Sequence, residues 1–266
     1  MKPEDLMRLA VRVIFGLVLL SSVGTAADSP PVIRAFERTD TVPHISREWA
    51  TKRAADITGL KATPASVEYG LATDTSIAFA DVKVLKRLAW KVEFEGIEIL
   101  GKNREGVLQK NPNISSITVL IDAQNGAALK VFSPERGLGG LLERTADRPE
   151  LYLPGSSLVL KSASRAPTVP FMKALSIASD RLGRFAPQAK EVVAYFGLMT
   201  DLLRLRIDDK VVDRPFWIII AGGLDGGGFS MPPGSPGPPP RVRQSYVAVD
   251  AESGEWYTGG NTGAGN

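Results

Sequence analysis

The pattern Asp-Ala-x-x-Gly occurs twice in matched surroundings, and no other feature of the chain restricts its fold as strongly. The first copy is Val119-Leu-Ile-Asp-Ala-Gln-Asn-Gly126, continuing to Phe132; the second is Val247-Ala-Val-Asp-Ala-Glu-Ser-Gly254, continuing to Tyr257. In each, an apolar run leads into the Asp, and a second apolar or aromatic run follows the Gly. This layout predicts a β-hairpin. Asp122 and Asp250 are suited to accept hydrogen bonds from backbone N–H groups just ahead and so to start a turn. Gly126 and Gly254 are suited to the left-handed conformation that closes a hairpin through a bulge.

The match extends upstream. Leu88-Ala-Trp-Lys-Val-Glu-Phe-Glu-Gly96 and Arg214-Pro-Phe-Trp-Ile-Ile-Ile-Ala-Gly222 are both Trp-containing strand patterns that end at Gly. Trp90 precedes Asp122 by 32 positions, and Trp217 precedes Asp250 by 33. Duplication explains such spacing better than coincidence. Two copies are too few for a solenoid, so the expectation is an α+β chain of two similar lobes. Each lobe would be a small antiparallel sheet packed with one or two helices.

Residues 1–27 carry a charged start, the apolar run Val13-Ile-Phe-Gly-Leu-Val-Leu-Leu20 and small residues up to Ala27. That order is the layout of a secretory signal peptide, and the apolar run is shorter than the roughly 20 residues a bilayer span needs. The mature chain is expected to be periplasmic or secreted, with no integral membrane span after signal removal. The chain has no Cys, which excludes disulfides, thiolate metal sites and Cys nucleophiles. Its formal net charge of +3 comes without a Lys/Arg block, so a nucleic-acid partner has no electrostatic footprint.

Residues 28–42 read as an extended lead-in. The first unit spans 43–133 and opens on an amphipathic helix, Ser46 to Ile57, with a capping residue at its start and Gly59 after its end. Gly101 to Asn113 reads as a polar loop. The segment 134–168 reads as a connection, with one strand-like island at Ser157-Leu-Val-Leu160. The second unit, 169–266, opens on a helix at Phe171–Leu182. A further helix is expected from Pro187 through Val192, Phe196 and Met199, then a strand at Leu203–Ile207. A Gly/Pro-rich insertion, 222–240, interrupts this unit. It is read as a loop excursion, with a polyproline ligand as the competing reading.

Catalytic groups are scarce. The single His44 lies beside Pro43 at the very start of the first unit, ahead of its helix, and no Gly-x-Ser-x-Gly elbow is present. Glu93, Glu95 and Glu98 read as a solvated strand face, and Asp208-Asp209 as a turn; neither set matches a calcium loop. The glycines at 222–228 lack the Lys-Ser/Thr of a phosphate-binding loop. Asn113-Ile-Ser115 fits a glycosylation acceptor, which matters only on a eukaryotic secretory route. Asp122 and Asp250 are the obvious carboxylates for a hydrolase, yet turn formation explains both of them and the Gly four positions on. No catalytic, metal or cofactor residue is assigned, and no cofactor is expected.

The helix at 46–57, the strand Trp90-Lys-Val-Glu-Phe94 and the hairpin Val119–Gly126 resemble the PepSY family of small exported modules. The helix at 171–182, Trp217-Ile-Ile-Ile220 and Val247–Gly254 resemble it again. The Gly/Pro insertion departs from that compact pattern. The resemblance implies a non-enzymatic envelope protein that restrains or regulates a peptidase, with an envelope protein or peptidase as partner. A structural role in envelope assembly and a carboxylate-dependent hydrolase are the alternatives. Trp256 and Tyr257 are the candidate binding residues. Their side chains alternate along the last strand, so one ring can pack inward while the other anchors a peptide at a sheet edge. The simpler reading packs both rings against the helices.

Overall fold

Among the described residues, two helices and twelve strands follow one another in an order that repeats. The computed structural model describes residues 34–75, 77, 79–102, 106–133, 158–182, 189–202, 211–223 and 244–262. The signal-like segment, most of the connection, the strand expected at 203–207, Asp208-Asp209 and the Gly/Pro insertion beyond Gly223 lie outside these residues.

The first half runs β1 (Arg34–Arg38), α1 (Arg47–Thr58), β2 (Ser66–Asp74), β3 (Arg87–Glu95), β4 (Leu100–Lys102), β5 (Leu108–Lys110), β6 (Ser116–Asp122) and β7 (Ala128–Phe132). The second runs β8 (Leu158–Ser162), α2 (Phe171–Leu182), β9 (Glu191–Asp201), β10 (Arg214–Gly222), β11 (Gln244–Asp250) and β12 (Trp256–Thr262). Without the small β4–β5 ladder, each half is strand, helix and four antiparallel strands.

Helix α1 forms where its signals place it. The Ser46 side chain accepts from the Trp49 N–H, and Gly59 takes the left-handed conformation at the other end. Ala50, Ala54 and Ile57 are buried against the sheet, while Trp49 stays exposed.

The expectation of two α+β lobes is wrong. Of the described residues, 48% are strand and 14% helix, and ten strands form one sheet. Its order is β1-β2-β3-β6-β7-β9-β10-β11-β12, with β8 beside β9. The halves fuse because the outer edge of β7 does not stop at solvent. Val131 pairs with Ala194 and Phe132 with Val193. Beyond them the Ser133 N–H donates to the Val192 carbonyl at 2.9 Å, and the Val192 N–H donates to Ser133 Oγ at 2.9 Å.

Part of the error was local. The residues expected to form a helix through Val192, Phe196 and Met199 are strand β9. Its side chains are buried on both faces, so the polar alternation that marks a strand is missing. The lead-in supplies edge strand β1, and the expected polar loop at 101–113 contains the β4–β5 ladder.

One buried layer lies between the sheet and both helices, with Trp90, Phe94, Phe171, Phe196 and Trp217 among its members. A second lies on the opposite face, where Ile77, Phe79, Val82 and Val84 of the β2–β3 connection cover Leu120, Leu160 and Tyr195. Both layers draw on both halves, and Pro31–Asn266 form one unit. The described domain is therefore expected to unfold in a single cooperative transition. Coincident urea curves from tryptophan fluorescence and far-UV circular dichroism check this; two separated transitions would contradict the shared core.

Candidate functional site

The hairpin turns come first, because they carry the carboxylates. Asp122 Oδ1 accepts the Gln124 N–H at 2.8 Å, and Asp250 Oδ1 accepts those of Glu252 and Ser253 at 2.8 and 3.0 Å. Gly126 and Gly254 have φ of 75° and 80°, and each donates its N–H to the carbonyl of the turn's Asp at 2.9 Å. The second oxygen of each Asp holds an arginine. Arg87 reaches Asp122 Oδ2 through Nε at 2.6 Å and Nη2 at 2.5 Å, and Arg214 reaches Asp250 Oδ2 through Nη2 at 2.5 Å. Sequence reading missed these arginines, although both stand three residues before the tryptophan of their strand.

Asp122 and Asp250 sit on β6 and β11, four strand spacings apart. At about 4.8 Å per spacing this is roughly 19 Å, about twice the widest separation of a glycosidase carboxylate pair. They do not form a hydrolytic dyad. His44 and Glu95 are exposed, Glu93 accepts from Ser66 Oγ at 3.3 Å, and Glu98 is bonded to Lys110 at 2.7 Å. No group of three or more His, Cys, Asp or Glu suited to a metal is found among the described residues. No helix among them is long and apolar enough to cross a membrane.

The two ends of the sheet differ in chemistry. Strand β1, Arg-Ala-Phe-Glu-Arg, carries three charges, the usual protection of an edge. Strand β12, Trp-Tyr-Thr-Gly-Gly-Asn-Thr, carries none. It ends the strand order, and among the described residues no strand pairs with its outer side.

Trp256 and Tyr257 lie at the start of this edge, and their rings part. A bulge shifts the β11–β12 register, so that Val249 faces Trp256 and Ala248 faces Thr258. Tyr257 turns inward: its hydroxyl donates to Asp201 Oδ2 at 2.9 Å and its ring meets Phe216 edge-on at 5.3 Å. Trp256 stays 44% exposed, with the Arg181 guanidinium 4.9 Å over its ring. Tyr246 packs across Gly260, where a Cβ would come within 2.8 Å of its ring. Burial, and secondarily the charge of Asp201, push the Tyr246 phenol's pKa up.

The first half shows what becomes of an edge like this. Strand β7 corresponds to β12 through the turn: the same bulge shifts its register between Leu120 and Ile121. At the positions matching Gly259 and Gly260, Val131 and Phe132 take β9 as an antiparallel neighbour. In the β11–β12 register Thr258 and Gly260 face β11, which leaves the Gly259 and Asn261 backbone groups pointing outward. Comparison with known proteins finds no matching family model, curated protein or solved structure.

Proposed function

We propose that the chain is an exported, non-catalytic binding module that adds an extended, antiparallel peptide segment to the outer edge of β12. Its partner is an envelope protein, with restraint or regulation of a peptidase as the role that the PepSY resemblance suggests. One observation carries the reading: β7, the counterpart of β12, has its outer edge filled by β9, whereas the β12 edge is uncharged and has no described strand beside it. Main-chain bonds to the Gly259 and Asn261 groups supply affinity without demanding a sequence, and the Trp256 ring supplies an apolar anchor.

Trp256 and Tyr257 then have separable duties. Trp256→Ala is expected to leave stability nearly unchanged and to weaken binding of a labelled Thr/Val nonapeptide by about 1–2 kcal/mol, as for an aromatic anchor. Tyr257→Ala is expected to lower stability by about 2–3 kcal/mol, since it removes a packed ring and the bond to Asp201. Fluorescence anisotropy and urea unfolding on the same preparations separate the two. A folded Trp256→Ala variant that binds the peptide as the parent does would remove the anchor. A peptide that fails to bind the parent protein would remove the edge.

A further inference from the structure

The correspondence between the halves reaches further than the hairpins. Strand β1 pairs with β2 from Arg34↔Asp74 to Arg38↔Gly70, and β8 pairs with β9 from Leu158↔Asp201 to Ser162↔Gly197. Gly70 and Gly197 occupy matching places. A Cβ on either would overlap the carbonyl of the crossing strand, Glu37 in one half and Lys161 in the other. The only two non-glycine residues with positive φ among those described, Lys86 at 47° and Asp213 at 49°, also match. Each donates its N–H to a threonine hydroxyl, Thr73 or Thr200, at 3.1 Å.

β8 therefore covers only the end of the β9 edge, and β7 takes the part it leaves, at Val193 and Ala194. β1 covers only the matching end of β2. It leaves Ser66–Tyr69, in which Ser66 and Val67 match Val193 and Ala194; Ser66 and Val67 are half-buried, whereas Val193 and Ala194 are fully buried under β7. Val67 lies between Ser66 and Glu68, whose backbone groups face Glu93 and Lys91 of β3, so its own N–H and carbonyl point away from β3. Among the described residues the sheet thus has two incompletely paired edges, and they are the two sides of a joint the chain already makes once inside itself.

We infer that a second copy of this chain docks there, with β12 of one molecule pairing antiparallel with β2 of the next, Gly259 opposite Val67 and Gly260 opposite Ser66. The contact repeats the β7–β9 joint between molecules. It is head-to-tail, because the two surfaces differ, so assembly proceeds to rings or filaments and not to a closed two-fold dimer. The inference rests on the reading that the β12 edge accepts a strand, and it commits that edge to self-association.

The absence of native Cys allows a direct test. Continuing the β7–β9 register by one pair puts Thr258 opposite Glu68 of the neighbour. Mixing the Glu68→Cys and Thr258→Cys proteins under mild oxidation is expected to give the mixed 68–258 disulfide in preference to either homodisulfide. The double variant is expected to give a ladder of cross-linked oligomers. Sedimentation velocity of the parent should show larger species as concentration rises. Val67→Pro should remain monomeric with an unchanged far-UV spectrum, since it removes only an outward N–H. A parent that stays monomeric across its solubility range, or homodisulfides that match or exceed the mixed product, would overturn the inference. If Trp256-dependent peptide binding survives that result, self-association alone falls; if it is absent too, the strand-addition reading falls with it.

Discussion

Replacing Asp122 with Asn is expected to destabilise the protein by about 3 kcal/mol, the loss typical of removing one partner from a buried charge pair. The same change at Asp250 is expected to cost about 1 kcal/mol, near the upper end for exposed pairs. The turns themselves would survive, because an amide oxygen can accept from Gln124 or Glu252 as the carboxylate does. The difference comes from the second oxygen. Asp122 is fully buried and its partner Arg87 is only 27% exposed, so Asn would leave a poorly hydrated guanidinium facing an amide that cannot neutralise it. Arg214 is 52% exposed and regains water when Asp250 loses its charge. From the turn pattern alone, Asn looks tolerable at both positions; the arginines change that for Asp122. Urea unfolding of the two variants checks the asymmetry, and equal losses below 1 kcal/mol would show that the pairs contribute little.

The other large effect belongs to Trp217. Its ring is fully buried, with centroids of Phe196 and Phe171 at 5.3 and 5.7 Å, and its Nε1 donates to the Val169 carbonyl at 2.8 Å. Trp217→Ala is expected to cost about 4 kcal/mol, from lost packing and the cavity left behind. Trp90 repeats the anchor, donating to the Ile45 carbonyl at 2.9 Å, but it meets one aromatic ring, Tyr69, at 5.1 Å and is slightly exposed. Trp90→Ala should cost about 3 kcal/mol by the same reasoning. Trp217→Phe keeps most of the volume and forfeits the hydrogen bond, a loss of about 1–2 kcal/mol. A Trp217→Ala protein as stable as Trp90→Ala would contradict the packing described.

What the sequence made legible is local. The Asp and Gly of each hairpin are four residues apart, and each performs its own turn chemistry, so two short stretches sufficed to place β6–β7 and β11–β12. The tryptophan spacing likewise placed β3 and β10 in matching roles. The fusion of the halves was not legible, because it depends on two residue pairs between β7 and β9, about 60 positions apart along the chain, in strands without polar alternation. Strand β9 read as helix for that reason: Val192, Phe196 and Met199 fall at helical spacing, yet every residue between them except the half-buried Leu198 is also buried. The match of β1 to β8 left almost no trace, since Arg-Ala-Phe-Glu-Arg and Leu-Val-Leu-Lys-Ser share no residue in place. Its one sequence signal is the pair Gly70 and Gly197, where crossing strands come too close for a side chain. Of the candidate site, the alternation of Trp256 and Tyr257 was readable, but the edge beside them, which no described strand pairs, depends on strand order.

Amide hydrogen exchange along β12 tests the central claim, that its outer edge is built to receive a strand. In dilute solution the account predicts an alternating pattern: slow exchange at Thr258 and Gly260, which face β11, and fast exchange at Gly259 and Asn261. Adding the Thr/Val peptide, or raising the protein concentration, should slow Gly259 and Asn261 selectively. Protection of these two amides already present in the dilute protein, or exchange unchanged by peptide and concentration alike, would contradict the account.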